Sequence, residues 1–320
     1  MSDTFPRQHA RTQRLTLGEP RNFTVSPDGA RIVFARSATG SDPVNMLWVL
    51  DVESGTERTV LDPRNIPADL AALTDEEKRR RERAREGAGG VVSYSCDADA
   101  TKAVTVLGGQ LFVVDLLTDA VSTPAVAPGV FDARLSPDGT RIAYVRGASL
   151  CVCDLAGNER VIAHEDSANV SWGSADFIAA EEMGRQRGYW WSPEGTHIAA
   201  CRVDESPVDV WHIADPAHPE RGAVEHRYPA AGTRNALVEL AVINVATTAR
   251  VPVSLPVHHE YLNSVSWTDG GLIAQTQTRD QRAVTVSRID PLTGDCTTIF
   301  EDIDDAWVEL VAGVPLDRKS

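Results

Sequence analysis

A turn phrase that recurs along the chain restricts its fold more than any other feature. The phrase occurs in FTVSPDGARIVFARS (Phe23–Ser37), in ARLSPDGTRIAYVRG (Ala133–Gly147) and in WWSPEGTHIAACRVD (Trp190–Asp204). Each copy has an apolar strand end, a Ser-Pro-Asp/Glu-Gly turn and then alternating polar and apolar residues. Proline suits the second position of a tight turn, and glycine supplies the positive φ that closes it. Alternation with a period of two indicates a strand in a layered sheet.

Two degenerate copies follow the same plan, VSYSCDADATKAVTVL from Val92 and SVSWTDGGLIAQTQT from Ser264. A further strand and a polar turn follow each phrase, so each unit contains about four short strands in roughly 40–50 residues, which is typical of β-propeller blades. We therefore predict an all-β fold with short helical insertions, an N-terminal segment over 1–18 and a partial β-propeller over 19–320. The predicted blades lie near residues 19–63, 90–126, 127–165, 166–257 and 260–300, and another begins at 306.

A charged insertion interrupts the repeat after the first blade. The segment LTDEEKRRRERAREGAGG (Leu73–Gly90) predicts a short surface helix. Thr74 and Glu77 have the spacing of a capping box at its start, and the glycines at its end stop a helix. Acidic residues alternate with the arginines, so a solvated surface explains the charge better than a nucleic-acid site does.

The adjacent acids Glu181 and Glu182 are the main candidate for a binding site. They lie in DFIAAEEMGRQRGYW, which predicts a helix of about two turns that ends at Gly184 or Gly188. Two neighbouring carboxylates disfavour each other's ionised form, so a cation between them is favourable. One ammonium contact at 4 Å contributes roughly 4 kcal/mol at an effective dielectric constant near 20. On the residues alone, a solvated acidic surface is the alternative interpretation.

The overall charge and the apolar patterning exclude several classes of protein. The formal net charge of -15 argues against nucleic acid and an anionic membrane as partners, because both require a basic surface. No apolar run is long enough to span a membrane. The first residues contain no apolar core of a secretory signal. These observations predict a cytoplasmic protein without a membrane partner.

Other groups of potential ligands are weak candidates for a metal or a cofactor. Cys151 and Cys153 share one face of a predicted strand, but a second pair that would complete a zinc site is missing from the sequence. The run His258-His259-Glu260 follows a proline in a loop and is a poor indication of metal by itself. The sequence also contains no Gly-x-Ser-x-Gly, phosphate-binding loop or His-Glu-x-x-His motif. We therefore predict no metal, no cofactor and no catalytic residues in this chain.

The glutamate segment and its surroundings resemble a known family. The order FIAAEEMGR, GYWWSPEGTHIAACRVDES and HRYPAAGTRNALVELAVINV is similar to the propeller domain of the dipeptidyl peptidase IV branch of the prolyl oligopeptidase clan. NFTVSPDGARIVFARS and the charged insertion, which is typical of bacterial members, extend the resemblance over nearly all of residues 15–310. It implies an eight-bladed propeller, of which this chain supplies about five blades and a fragment. The family's α/β-hydrolase domain, with its Ser-Asp-His triad, is expected to be absent from the chain.

The resemblance also implies a role for the two acids. In this family a glutamate pair on a short helix of the propeller projects into a central cavity and binds the free α-amino group of a peptide. Carried over, Glu181 and Glu182 would bind the substrate amine. The chain would then be the substrate-selecting part of a serine exopeptidase that removes N-terminal dipeptides. Its implied partners are a peptide with a free N-terminus and the α/β-hydrolase domain.

A stand-alone propeller that acts as a binding or scaffold module without enzymatic activity is the alternative function, because a fold alone does not determine function. The two hypotheses differ in what they predict for the isolated chain. An array of about five blades leaves an apolar face and a strand edge uncovered. Under the peptidase hypothesis we therefore predict a poorly stable or self-associating chain that forms homo-oligomers. A monomer with a sharp, cooperative melt would favour the stand-alone module.

Overall fold

Antiparallel β-strands account for most of the regular secondary structure in the described part of the chain. In the computed structural model it divides into two compact units, Met1–Val161 and Ile162–Ser320. The structure describes residues 4–66, 87, 89–220 and 222–311. The predicted charged helix at 73–90 therefore lies almost entirely outside the described residues.

The first unit opens with a short helix and a sheet that contains the first turn phrase. Helix α1 (Phe5–Arg11) precedes four antiparallel strands, and a short 3₁₀ turn (Pro63–Asn65) follows them. A fifth, two-residue strand pairs in parallel with the third. The strands are β1 (Arg21–Val25), β2 (Arg31–Ser37), β3 (Val44–Asp51), β4 (Thr56–Leu61) and β5 (Gly89–Gly90).

Two further four-stranded antiparallel sheets follow in sequence order. Each strand pairs with the next one along the chain, as in the blades of a propeller. The second sheet contains β6 (Ser95–Cys96), β7 (Lys102–Leu107), β8 (Gln110–Asp115) and β9 (Val121–Ser122). The third contains β10 (Val130–Leu135), β11 (Arg141–Arg146), β12 (Ser149–Asp154) and β13 (Glu159–Ala163).

The fourth sheet explains why the fourth predicted unit is longer than the others. Two separate segments, β14 and β15, pair with different parts of the same strand, β16, and helix α2 lies between them in the chain. A two-stranded hairpin, β17–β18, is inserted before the sheet continues. The elements are β14 (Val170–Trp172), α2 (Phe177–Glu182), β15 (Tyr189–Trp191), β16 (His197–Asp204), β17 (Val210–Ile213), β18 (Val224–Arg227), β19 (Leu237–Asn244) and β20 (Arg250–Pro252).

The fifth sheet repeats the simple order of the second and third. Its four strands are again antiparallel, and each pairs with the next along the chain. They are β21 (Tyr261–Thr268), β22 (Gly271–Gln277), β23 (Ala283–Ile289) and β24 (Cys296–Ile303). Residues 306–311, where another blade was predicted to begin, contain no strand, and no further residues after them are described.

The recurrent turn has the conformation that its sequence predicts. In all three copies the backbone N–H of the glycine donates to the serine carbonyl three residues earlier, at 2.8–2.9 Å. Gly29, Gly139 and Gly195 have φ values of 70°, 65° and 65°, a region that glycine adopts without a steric penalty. The strand that follows each turn is the second of its sheet. The same turn therefore connects the first and second strands in three sheets.

Apolar side chains between sequential sheets form the core of each unit. In the first unit one cluster joins the first and second sheets, and another, which includes Val104 and Tyr144, joins the second and third. In the second unit the fourth and fifth sheets share a cluster that includes Trp190, Leu240 and Leu272. Burying one such side chain contributes about 1.5–3 kcal/mol relative to exposure. The prediction of an all-β protein built from four-stranded propeller blades is therefore confirmed.

The helices in the described ranges are all short. Within the described ranges, no helix is long and apolar enough to cross a membrane.

Candidate functional site

Both predicted site residues lie on the short helix between β14 and β15 of the fourth sheet. Glu181 and Glu182 are the last two residues of α2 (Phe177–Glu182). Asp176 begins the helix: its carboxylate accepts a hydrogen bond from the N–H of the third helical residue at 3.1 Å, a standard N-cap. Gly184 follows the helix with a φ of 66°, a value that favours glycine. The predicted helix and its end at Gly184 are therefore confirmed.

The helix buries its small residues and exposes its acids. Ala179 and Ala180 are buried, whereas Glu181 and Glu182 are both exposed. Successive residues on a helix are about 100° apart, so both carboxylates can reach one small ligand only from a short, exposed helix such as this one. Longer residues in place of the alanines would push the helix away from the sheet beneath it. The sequence of small then acidic residues therefore brings the backbone close to the core while the charges stay accessible.

A buried ion pair joins the two ends of this helix. Arg185 lies three residues after the last helical residue, and one of its terminal nitrogens is 2.9 Å from the Asp176 carboxylate. Both side chains are almost fully buried, at 4% and 10% exposure. The backbone N–H of Arg185 also donates to the carbonyl of Ala179 at 2.9 Å. The chain therefore forms a closed loop whose exposed tip carries the two glutamates.

The same arginine attaches the loop to the fourth and fifth sheets. Its Nε donates to the carbonyl of Leu262 in β21 at 3.0 Å. One terminal nitrogen donates to the carbonyl of Arg187 at 2.9 Å and contacts Sγ of Cys201 in β16 at 3.7 Å. With the carboxylate, these contacts use all three guanidinium nitrogens, so the orientation of Arg185 is determined on every side.

The segment between Arg185 and the turn phrase is tightly packed. At Gly188 a β-carbon would lie 2.4 Å from the backbone of Ser174, so only glycine fits there. Trp190 is buried in the core of the second unit, and its carbonyl accepts a hydrogen bond from Nε1 of Trp267 at 3.1 Å. The guanidinium of Arg187 lies 5.5 Å from the Trp190 ring centroid. Gly-Tyr-Trp-Trp is therefore a packing segment in the core of the second unit.

Aromatic side chains connect the helix to the inserted hairpin. The ring of Phe177, the first residue of α2, lies edge-on to Tyr228 at a centroid distance of 5.3 Å. Tyr228 in turn lies edge-on to Trp211 of β17 at 5.5 Å. Trp211 is 51% exposed and Tyr228 is 39% exposed. Since Phe177 and Glu181 are four residues apart, they share one side of the helix, and the aromatic contacts border that side.

The segment YPAAGTRNA is held by a polar cluster. The amide of Asn235, which is buried, donates to Glu260 at 2.8 Å. Arg279 pairs with the same carboxylate at 3.1 Å and also donates to the carbonyl of Thr233. Glu260 of the His-His-Glu run therefore has two protein partners, which is a structural role.

The cysteines and histidines named as weak metal candidates have structural surroundings. Cys151 and Cys153 are buried free thiols in β12, and burial raises their pKa values to about 11 and about 12. His259 shares a hydrogen bond with Thr276 at 2.9 Å, and burial lowers its pKa. Among the residues that the structure describes, no three His, Cys, Asp or Glu side chains cluster so that they could hold a metal ion.

Sequence reasoning identified the two glutamates but missed Asp176 and Arg185. One local signal for Asp176 was present, because an aspartate directly before an apolar helical run is a typical N-cap. Arg185 had no such signal, since an arginine after a helix usually lies in solvent. Its burial depends on an aspartate nine residues earlier and a carbonyl 77 residues later, and the sequence does not show either contact.

Comparison with known proteins assigns most of the chain to one family. Residues 105–316 match the model of the dipeptidyl peptidase IV (DPP IV) N-terminal region, and the match contains the glutamate helix and the sheets around it. Human dipeptidyl peptidase 8 is 24% identical over 319 residues, which cover 82% of this chain and 35% of that protein. Dipeptidyl peptidase 4 of Trichophyton tonsurans is 28% identical over 151 residues, which cover 43% of this chain and 19% of that protein.

Solved structures show the same fold. The crystal structure of Porphyromonas gingivalis dipeptidyl peptidase 4 superposes with a TM-score of 0.71 at 20% identity, over 92% of this chain and 42% of that one. The chain spans about a third of the length of the human relative and less than half of this solved chain. The family match covers well over half of the present chain, so the protein belongs to the family that carries the dipeptidyl peptidase IV N-terminal region.

Proposed function

We propose that this chain is the substrate-selecting propeller portion of a dipeptidyl peptidase IV-like serine exopeptidase. Glu181 and Glu182 bind the α-ammonium group of a peptide substrate, and an α/β-hydrolase domain supplies the catalytic triad. The observation that carries the proposal is the placement of two adjacent, exposed carboxylates on one short helix inside the family-matched region. The names of the relatives, which are dipeptidyl peptidases, support the same activity.

The chemistry of the helix end suits a primary ammonium group. Two acids at one helix end concentrate negative charge there, and that charge attracts a cation. An ammonium has three donors, so it can pair with both carboxylates and still donate to a third acceptor. Because both acids are exposed, each ion pair contributes only about 1 kcal/mol where water remains and more where a bound peptide excludes it.

Selection of dipeptides follows from the fixed distance between the bound amine and the catalytic nucleophile. If the amine is bound at a constant place, the peptide bond that reaches the nucleophile is always the same number of residues from the N-terminus. An acetylated or internal segment has no ammonium, so it gains nothing from the acids and is rejected. The propeller residues therefore determine which bond is presented, and the hydrolase domain cleaves it.

The charge of the two acids can be tested with neutral, isosteric variants. Glu181→Gln and Glu182→Gln should each weaken the binding of Ala-Pro-Ala amide by about tenfold, and the double variant more strongly, because each removes one charge-assisted contact. The measurement is isothermal titration calorimetry of the full chain with this peptide and with its N-acetyl form. Wild-type protein should bind the free amine and discriminate against the acetylated peptide.

The matched control for this experiment is Glu53→Gln, which removes the same charge from an exposed turn of the first unit. It should leave the affinity unchanged. Equal affinity of the wild type for the free and the acetylated peptide would show that the acids do not recognise an amine, and the proposed function would be wrong.

A further inference from the structure

The glutamate helix is too short to be stable on its own. Isolated helices shorter than about 12–15 residues are marginal in water, because the first turn costs more conformational entropy than its single hydrogen bond returns. Helix α2 has six residues. The positions of Glu181 and Glu182 therefore depend on contacts outside the helix, and those contacts involve Asp176 and Arg185.

Asp176 connects the start of the helix to the arginine beyond its end. One carboxylate oxygen accepts from the N–H of Ala179 at 3.1 Å, and the other accepts from Arg185 at 2.9 Å. The carboxylate is thus divided between capping the helix and pairing with the cation. Loss of Arg185 would leave a buried carboxylate with only the cap, and loss of Asp176 would remove both contacts together.

Arg185 connects the helix to the sheets. It donates to Leu262 in β21 and to Arg187 before β15, and it contacts Cys201 in β16. A lysine has one nitrogen and cannot reach these acceptors and Asp176 together, whereas the planar guanidinium can. One side chain, Arg185, therefore anchors the loop that carries the glutamates to two sheets.

Burial of a charged pair is not explained by stability alone. Taking both ions out of water is unfavourable, and apolar residues of the same volume often stabilise a fold equally well or better. What an ion pair adds is a defined geometry. The pair also neutralises itself, so Arg185 does not compete with a ligand cation for Glu181 and Glu182.

We propose that Asp176 and Arg185 are positioning residues for the amine site: they set the place and direction of the Glu181–Glu182 helix without contacting the ligand. This inference rests on the proposed function for its consequence in peptide binding. Its structural part, the dependence of α2 on the buried pair, can be measured without a ligand.

The experiment compares Arg185→Met with a matched variant, Arg202→Met, in the full chain. Arg202 also pairs with acids of the second unit, Glu165 and Glu239, and within the described residues neither of these ion pairs involves α2. Hydrogen exchange, detected by mass spectrometry, measures the exchange rate in the peptide that covers α2. Calorimetry measures the affinity for Ala-Pro-Ala amide. Arg185→Met should accelerate exchange in α2 at least tenfold and weaken peptide binding at least tenfold. Arg202→Met should lower the melting temperature and change neither quantity.

The two readouts separate the inference from the proposed function. If the wild type does not bind the free amine, the proposed function fails, and exchange in α2 alone decides the inference. If Arg185→Met exchanges in α2 like the wild type, the inference is overturned whatever the binding result.

A second variant covers the case in which Arg185→Met does not fold. Arg185→Lys keeps the charge opposite Asp176 but loses the fork geometry, so it should fold, exchange faster in α2 and bind the peptide more weakly. Wild-type exchange and affinity in Arg185→Lys would show that a charge is sufficient and would overturn the positioning role.

Discussion

At the scale of single residues, burial decides which ion pairs affect the stability of this protein. Arg185 and Arg36 are both arginines paired with an acid, but the Arg185 pair is almost fully buried, whereas Glu57, the partner of Arg36, is 40% exposed. Exposed pairs contribute little because water and salt screen them, and buried pairs are costly to break. The same distinction applies to Glu159, whose side chain is only 22% exposed and has two partners.

Glu159 should make stability depend on pH. It accepts hydrogen bonds from Arg146 and from the buried hydroxyl of Tyr144. The bonds from Arg146, and after them the bond from Tyr144, lower the pKa of Glu159 below its ordinary value of 4.5. A carboxylate with a lowered pKa in the folded state stabilises the protein above that ordinary value, and the contribution is lost as the pH falls through the folded pKa. Glu159→Gln should therefore reduce the free energy of unfolding by roughly 1–3 kcal/mol at pH 7.

Urea denaturation at pH 7 and at a series of lower pH values checks this prediction. The difference between the wild type and Glu159→Gln should shrink as the pH falls below 4.5. Glu57→Gln, which breaks the exposed pair with Arg36, is the control and should cost much less. A difference that stays constant down to low pH would show that the ionised form of Glu159 is not what stabilises the fold.

At the scale of elements, the inserted hairpin β17–β18 depends on a few aromatic contacts. Among the residues that the structure describes, its strands pair only with each other, and all four residues of β17 are exposed. Two-stranded hairpins are marginally stable in water, so contacts with the rest of the unit must hold this one. The edge-on rings of Tyr228, Trp211 and Phe177 are such contacts, and they end at the first residue of the glutamate helix.

Tyr228→Ala should loosen the hairpin. The substitution removes both edge-on ring pairs, each of which contributes about 0.5–1.5 kcal/mol beyond its buried area. We expect the free energy of unfolding to fall by about 1–3 kcal/mol and limited proteolysis to cut first within the hairpin. Tyr228→Phe keeps the ring and should behave like the wild type. A protease pattern unchanged by Tyr228→Ala would show that these ring contacts do not hold the hairpin.

At the scale of the whole molecule, exposed apolar side chains and net charge act against each other. The last described strand, β24, exposes Ile299, Phe300 and Ile303 at 47–66%. An apolar strand at the edge of a sheet favours association with another strand. A net charge of -15 opposes association between copies, and salt weakens that repulsion.

We therefore predict that the isolated chain self-associates, and more strongly at high salt than at low salt. Sedimentation velocity over a range of concentrations measures the effect. Phe300→Ser should weaken association by about tenfold or more, because it removes one large apolar contact. Leu292→Ser is the control, since Leu292 is 77% exposed but lies in the turn before β24. A monomer with a sharp melt at every concentration would contradict the prediction and favour a stand-alone module.

Local patterns in the sequence determined the fold class and the place of the candidate site. The turn phrase repeats because proline and glycine encode a turn without help from distant residues, and alternation encodes the strand after it. The two glutamates and the end of their helix at Gly184 were visible for the same reason. Each of these features depends only on residues within a few positions of one another.

Only the tertiary structure decided how the site is supported. The split of the first strand of the fourth sheet into β14 and β15, and the exposure of Trp211, follow from pairing between distant segments. The burial of Arg185 is the clearest case. The strength of its ion pair depends on the exclusion of water by neighbours from β16 and β21. A sequence pattern encodes local conformation, whereas desolvation of a charge is a property of the packed chain.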